Sequence, residues 1–172
     1  MIVSQDKEEI RVGSALASKC EIKQVSLRRA HISLEGSEES MTGPFSLRLS
    51  HHADASAITD GILRIAVVYQ FQSYDSSEPP SLHFSIECAF DAEYSIEDTS
   101  YQPSEESISA FKDGNAIFNT WPYAREFVQS MAARMSVHPP PLPFLRIITK
   151  PSPTKAKPAV EARQTVPAKN EE

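Results

Sequence analysis

From Leu82 to Phe90 the chain alternates strictly: Leu82, Phe84, Ile86, Cys88 and Phe90 fall on one parity, His83, Ser85, Glu87, Ala89 and Asp91 on the other. A period of two over residues 81–96 predicts a half-buried strand. The preceding segment "ILRIAVVYQFQ" sets Leu63, Ile65, Val67, Tyr69 and Phe71 on one face against a mixed face of Ile62, Arg64, Ala66, Val68 and Gln70. "FSLRLSHH" repeats the pattern with Phe45, Leu47 and Leu49. A fourth segment, residues 20–35, changes parity: Val25 and Leu27 are odd, Ile32 and Leu34 even. A bulge near Arg28 to His31 reconciles its halves. The connections "GSEESMTGP", "DASAITDG" and "DSSEPPS" are turn-rich and short enough to join antiparallel neighbours.

After "YQPSEES" the period becomes helical. Ser104 suits an N-cap, with Glu105 and Glu106 in the first turn where the helix dipole favours carboxylates. Gly114 suits a stop. A second, longer helix follows, with Pro122 at its first position or, alternatively, a start near Asn115 and a kink at Pro122. Trp121, Ala124, Val128, Met131 and Met135 recur at 3-4-3-4 spacing, and Tyr123, Phe127 and Ala132 widen the stripe beyond one face. One four-stranded sheet cannot cover so wide a stripe, so a second copy of the chain is the expected cover, with Trp121 and Val128 at the interface. The elements together predict an α+β fold: a four-stranded antiparallel sheet, then a short and a long helix.

Composition narrows the class. Apolar residues make up 40% and charged residues 23%, as in ordinary globular domains. The two cysteines supply no disulfide framework and fit a reducing compartment, the cytoplasm. "MIVSQDKEEI" lacks the cationic start and apolar run of a signal peptide, and the run Ile65 to Tyr69 is too short to insert in a membrane. From Lys150 onward five basic residues stand against three acidic ones, so the tail carries +2 and residues 1–149 carry −8 of the net −6. An acidic body disfavours nucleic acid. The Pro- and Lys-rich tail lacks aromatics and is expected to be disordered. The resulting division is an extension over 1–19, a domain over 20–148 and a tail over 149–172.

Familiar chemistry is missing. The five glycines never cluster, so no phosphate-binding loop exists. His51 and His52 are adjacent on a strand and face opposite ways; Cys20 and Cys88 have no companion at zinc-site spacing. Cys88 lies on the apolar face as a small core residue rather than a nucleophile. The carboxylates of "EGSEES" and "EDTSYQPSEE" belong to solvated loops. The expectation is a protein with no catalytic residues, no metal and no cofactor.

The stretch "WPYAREFVQSMAARM" followed by "PPPLPFLRI" resembles the long helix and Pro-containing segment of the SecB export chaperones. "LRRAHISLE", "ILRIAVVYQF" and "FSIECAFDAEYSIED" resemble the family's first, third and fourth strands, in the family's order, over about residues 20–147. The resemblance implies an ATP-independent chaperone that holds unfolded precursor proteins for export. It also implies a homotetramer, a dimer of dimers with long helices between two eight-stranded sheets. Ile86, Cys88 and Phe90 match positions that hold such tetramers together. By position, Leu34, Phe45, Leu47, Leu49, Met131, Leu142 and Phe144 are the expected client groove. Glu35 and Glu87 match acidic positions that contact the translocase motor ATPase, whereas His31 and Ser85 stand where the family has an acidic and an apolar residue. Divergent members instead protect the antitoxin of a toxin–antitoxin pair. A structural oligomerisation module without a groove is a third reading.

Removal of residues 151–172 is expected to leave fold, assembly and melting temperature unchanged, because the segment has too little apolar surface to dock. Loss of the assembled species in sedimentation would show that the tail is a structural part.

Overall fold

A computed structural model describes residues 1–35, 45–55, 57–98, 100–137 and 142–149. The alternating segments become β2 (Cys20–Leu34), β3 (Ser46–Ala55), β4 (Ile62–Tyr74) and β5 (Leu82–Ile96), which pair antiparallel in the order β2-β5-β4-β3. The two most apolar strands therefore lie in the centre. The parity change in β2 is a register shift between Leu27 and Arg29, and a second shift separates Ile22 from Gln24.

Cross-strand partners share a face, so the registers define rows across the sheet. One row reads Leu34, Phe84, Ser73, Leu47; the next Ile32, Ile86, Phe71, Leu49; the next Ala30, Cys88, Tyr69, His51. In the centre this face is fully buried, including Leu63, Ile65, Val67, Tyr69, Phe71, Ile86 and Cys88.

The cover is helical. α1 (Lys7–Ala17) comes early in the chain; α2 (Glu105–Phe111) and α3 (Ile117–Arg134) follow the sheet. Ser104 caps α2 as the sequence predicts, its side chain accepting from the Ser107 amide at 3.2 Å. Gly114 does not end the helix. A π-helical turn, Lys112–Ala116, links α2 to α3 without a break. Gly114 is buried there against the Gln5 carboxamide, and a Cβ would overlap that group. Gln5 in turn donates to the Ala110 carbonyl at 2.9 Å. Because α3 continues an existing helix, it has no fresh first turn for Pro122, which lies inside it on the exposed side.

Aromatic contacts fix α3 on the sheet. Trp121 stacks on Phe71, centroids 6.1 Å apart and planes 20° from parallel, and meets Tyr69 at 5.6 Å. The Tyr69 hydroxyl donates to the Ile117 carbonyl at 2.9 Å and lies 2.8 Å from the Thr120 hydroxyl. Phe90 meets Tyr123 and Phe127, and Asn119 donates to the Tyr94 hydroxyl at 3.3 Å.

Residues 1–19 contribute to the fold beyond a simple extension. β1 (Ile2–Gln5) pairs in parallel with β6 (Arg146–Thr149), joining the two ends of the described chain. Asp6 and Glu9 form a reciprocal capping box on α1, and Leu16 is fully buried. Gly13 lies against the Ala110 backbone, where it lets α1 approach α2 closely. Of the tail expected to be disordered over 149–172, Thr149 ends β6, and residues 150–172 lie outside the described residues.

Trp121→Ala is expected to destabilise folding by about 3–5 kcal/mol, because the ring is buried and contacts both Tyr69 and Phe71. Equilibrium denaturation checks this; an unchanged midpoint and slope would contradict the packing described.

Candidate functional site

The expected groove residues come from three parts of the fold. Leu34 of β2 and Leu47 of β3 stand in one row, separated by Phe84 and Ser73, and Leu49 stands in the next. Leu34 is 45% exposed, while Leu47 and Leu49 are half-buried. Phe45, just before β3, meets the His83 ring edge-on at 4.9 Å, and the Glu35 amide donates to the His83 carbonyl at 2.7 Å. Residues from β2, β3 and β5 thus converge at one end of the sheet. Met131 is half-buried on α3. Phe144 is 75% exposed, whereas Leu142 is buried and presents no surface in the single chain.

The expected interface residues lie deeper. Ile86, Cys88, Phe90, Trp121 and Val128 are all buried within one chain, because α3 lies directly over β4 and β5. The apolar surface left open is elsewhere: Ile22, Leu27, Ile32 and Leu34 along β2, and Phe118 and Tyr123 on α3. β2 is an edge strand, with a partner on one side only among the described residues. Period-two reading could not place that surface, because strand order is a tertiary property.

The face of the sheet away from α3 carries paired charges. Arg29 meets Glu87 at 3.0 Å, Arg28 meets Asp91 at 3.6 Å and Arg64 meets Glu93 at 2.8 Å. Glu35 is exposed and accepts from the Ser33 hydroxyl at 2.6 Å. His31 pairs in register with Glu87, and Ser85 with Ser33.

Titratable groups follow their surroundings. The Asp75 carboxyl is held down to about 2, first by the Ser77 hydroxyl and then by the Ser81 amide, which close the β4–β5 loop. Burial lowers the pKa of His51, which faces the α3 side, while His52 faces away and is exposed. Burial pushes the Cys20 thiol up to about 11 and the Cys88 thiol up to about 12. Among the described residues no three His, Cys, Asp or Glu side chains group to hold a metal, and no helix is long and apolar enough to cross a membrane.

No family model matches the sequence. Among curated proteins the chain is similar to the SecB-like chaperones Rv1957 and MT2006 of Mycobacterium tuberculosis, strains H37Rv and CDC 1551. Identity is 23% over 166 residues, spanning 87% of this chain and 89% of each relative. Among solved structures it is similar to the Mycobacterium tuberculosis Rv1957 SecB-like chaperone in complex with a ChAD peptide from the Rv1956 HigA1 antitoxin. That match has a TM-score of 0.70 at 19% identity and covers 82% of this chain and 100% of that one. The chain is thus SecB-like in fold and resembles these chaperones in sequence over most of its length.

Cys88 should resist alkylation, since it is fully buried and only the thiolate attacks alkylating reagents. At neutral pH, N-ethylmaleimide is expected to leave Cys88 unmodified in the native protein and to modify it fully in denaturant, as read by mass spectrometry. Rapid native labelling of Cys88 would mean that α3 does not hold the sheet closed.

Proposed function

We infer, from that likeness and from the apolar surface left open, that this chain is a SecB-like chaperone that holds its client without ATP and serves a dedicated partner such as an antitoxin. The open surface suits holding, because apolar burial is non-directional and tolerates varied sequences. Leu34, Phe45, Leu47, Leu49, Met131 and Phe144 form its client surface, with Leu142 beneath. The observation that favours a dedicated partner over delivery to the translocase motor is the charge arrangement. Glu87, one of the two carboxylates expected to meet the motor, is matched by Arg29, with Asp91 and Glu93 matched by Arg28 and Arg64. Exposed pairs add little stability, but they remove the uncompensated negative potential that would steer a basic partner. The antitoxin peptide held by Rv1957 supports the same choice.

Assembly fits this reading. The free edge of β2 and its exposed Ile22, Leu27, Ile32 and Leu34 suit pairing with a second copy into an eight-stranded sheet. Phe118 and Tyr123 then offer a surface for joining two such dimers. Two free thiols suit the cytoplasm. Export holding is the second reading, supported by the exposed carboxylate of Glu35.

Affinity capture of the tagged protein from its own host tests the choice. The expected result is one near-stoichiometric partner encoded beside a toxin gene. A broad set of precursors bearing signal peptides would overturn the dedicated reading in favour of export. Leu34→Ser with Leu47→Ser should abolish capture, while Glu35→Lys with Glu87→Lys should leave it intact and shift stability by no more than about 0.5 kcal/mol.

A further inference from the structure

Phe144 is the most exposed large apolar side chain among the described residues, at 75%, yet its position is fixed from two sides. Trp121 donates from Nε1 to the neighbouring Pro143 carbonyl at 3.2 Å. One helical turn on, the Arg125 guanidinium lies 4.8 Å from the centre of the Phe144 ring. An exposed aromatic held in place loses little entropy when a partner covers it, which is what makes a binding anchor.

Arg125 is the charged member. Its Nε is buried without a hydrogen-bond partner, and among the described residues no carboxylate lies within 4.0 Å of its guanidinium. The other arginines on helices and strands of the sheet domain that form ion pairs, Arg28, Arg29 and Arg64, do so on the opposite face. Arg146, two residues beyond Phe144, is likewise outside every ion pair seen and is exposed. In a chain of net charge −6, an arginine with no ion pair among the described residues, set against a fixed, exposed phenylalanine, forms a local cationic and aromatic site. The matching occupant carries a carboxylate close to a large apolar side chain: the carboxylate completes the guanidinium fork, and the apolar group covers the Phe144 ring.

We propose that Arg125 and Phe144 together select acidic–apolar segments of an extended client chain. This rests on the reading of the protein as a client-holding chaperone and adds a sequence preference to it. Apolar contact supplies the capture, and Arg125 supplies the discrimination. A basic–apolar segment would bring a second cation against a half-buried guanidinium, and so binds more weakly.

Three fluorescein-labelled peptides of one length, with the cores Asp-Leu-Phe-Asp-Leu, Asn-Leu-Phe-Asn-Leu and Lys-Leu-Phe-Lys-Leu, test this by anisotropy on the full-length protein. The acidic peptide should bind about tenfold more tightly than the neutral one, the scale of a charge-assisted bond, and the basic one least tightly. Arg125→Gln should bring the acidic and neutral peptides to the same affinity. Arg125→Lys, which keeps the charge but loses the planar fork, should restore only part of it. Phe144→Ser should weaken all three. Circular dichroism confirms that each variant is folded. Suppression of aggregation of an unfolded apolar protein, measured on the same preparations, separates this inference from the reading beneath it. Normal holding with no acidic preference, or a preference that survives Arg125→Gln, overturns the inference alone. Loss of holding in the unmodified protein overturns the chaperone reading instead. An altered sedimentation coefficient in Arg125→Gln would assign the site to contact between copies of the chain and also overturn the inference.

Discussion

The stack of Trp121 on Phe71 and Tyr69 is the contact on which the rest of the structure depends. It joins the centre of the sheet to the long helix, and the Tyr69 hydroxyl locks the pair by bonding to the helix backbone at Ile117. Each large side chain buried there contributes about 1.5–3 kcal/mol of transfer free energy before entropy is counted. With α3 fixed in this position, Phe90 lies under Tyr123 and Phe127, and the Trp121 indole anchors Pro143. That anchor orients the segment leading into β6, which then pairs with β1. One contact in the core thereby sets the position of both ends of the described chain and of the exposed Phe144.

Covering the centre of the sheet so well leaves its edges and flanks uncovered. α3 shields β4 and β5, but among the described residues β2 keeps a free edge and a line of exposed apolar side chains. A protein of this size rarely leaves such an edge open without a partner, because unpaired strand backbone invites uncontrolled pairing. Pairing with a second copy and holding an extended client are both satisfied by the same physics, unmet backbone groups beside apolar side chains. The bulges in β2 fit that role. The shift between Leu27 and Arg29 puts Leu27, paired with Phe90, and Ile32, paired with Ile86, on one face despite their opposite parity, and both are exposed.

The charges divide the protein's two faces. Away from α3, Arg28, Arg29 and Arg64 pair with carboxylates across strands. On the helix side, Arg125 lies beside Phe144 with no ion pair among the described residues. A net charge summed over the whole chain hides this division, since it counts matched and unmatched groups alike.

Alternation by itself determined the four sheet strands and the buried parity of the central β4 and β5, because apolar residues at a period of two line one face of a strand that water favours burying. The Ser104 cap and the bulge near Arg28 were legible for the same reason: each is a local requirement met by local residues. The "WPYAREFVQSMAARM" stretch marked the long helix and its likeness to the SecB family. Tertiary structure decided the remainder. Gly114 reads as a stop in isolation, and only the Gln5 carboxamide pressed against it reveals a close approach inside a continuous helix. β1 and β6 are four residues each, too short to show a period, and they exist because the chain ends meet. Ile86, Cys88 and Phe90 lie on the apolar parity of their strand, and the structure shows that α3 is the element that buries them within their own chain. The open surface on β2 and the unmatched charge of Arg125 depend on which elements become neighbours, and adjacency in space is what a linear pattern cannot encode.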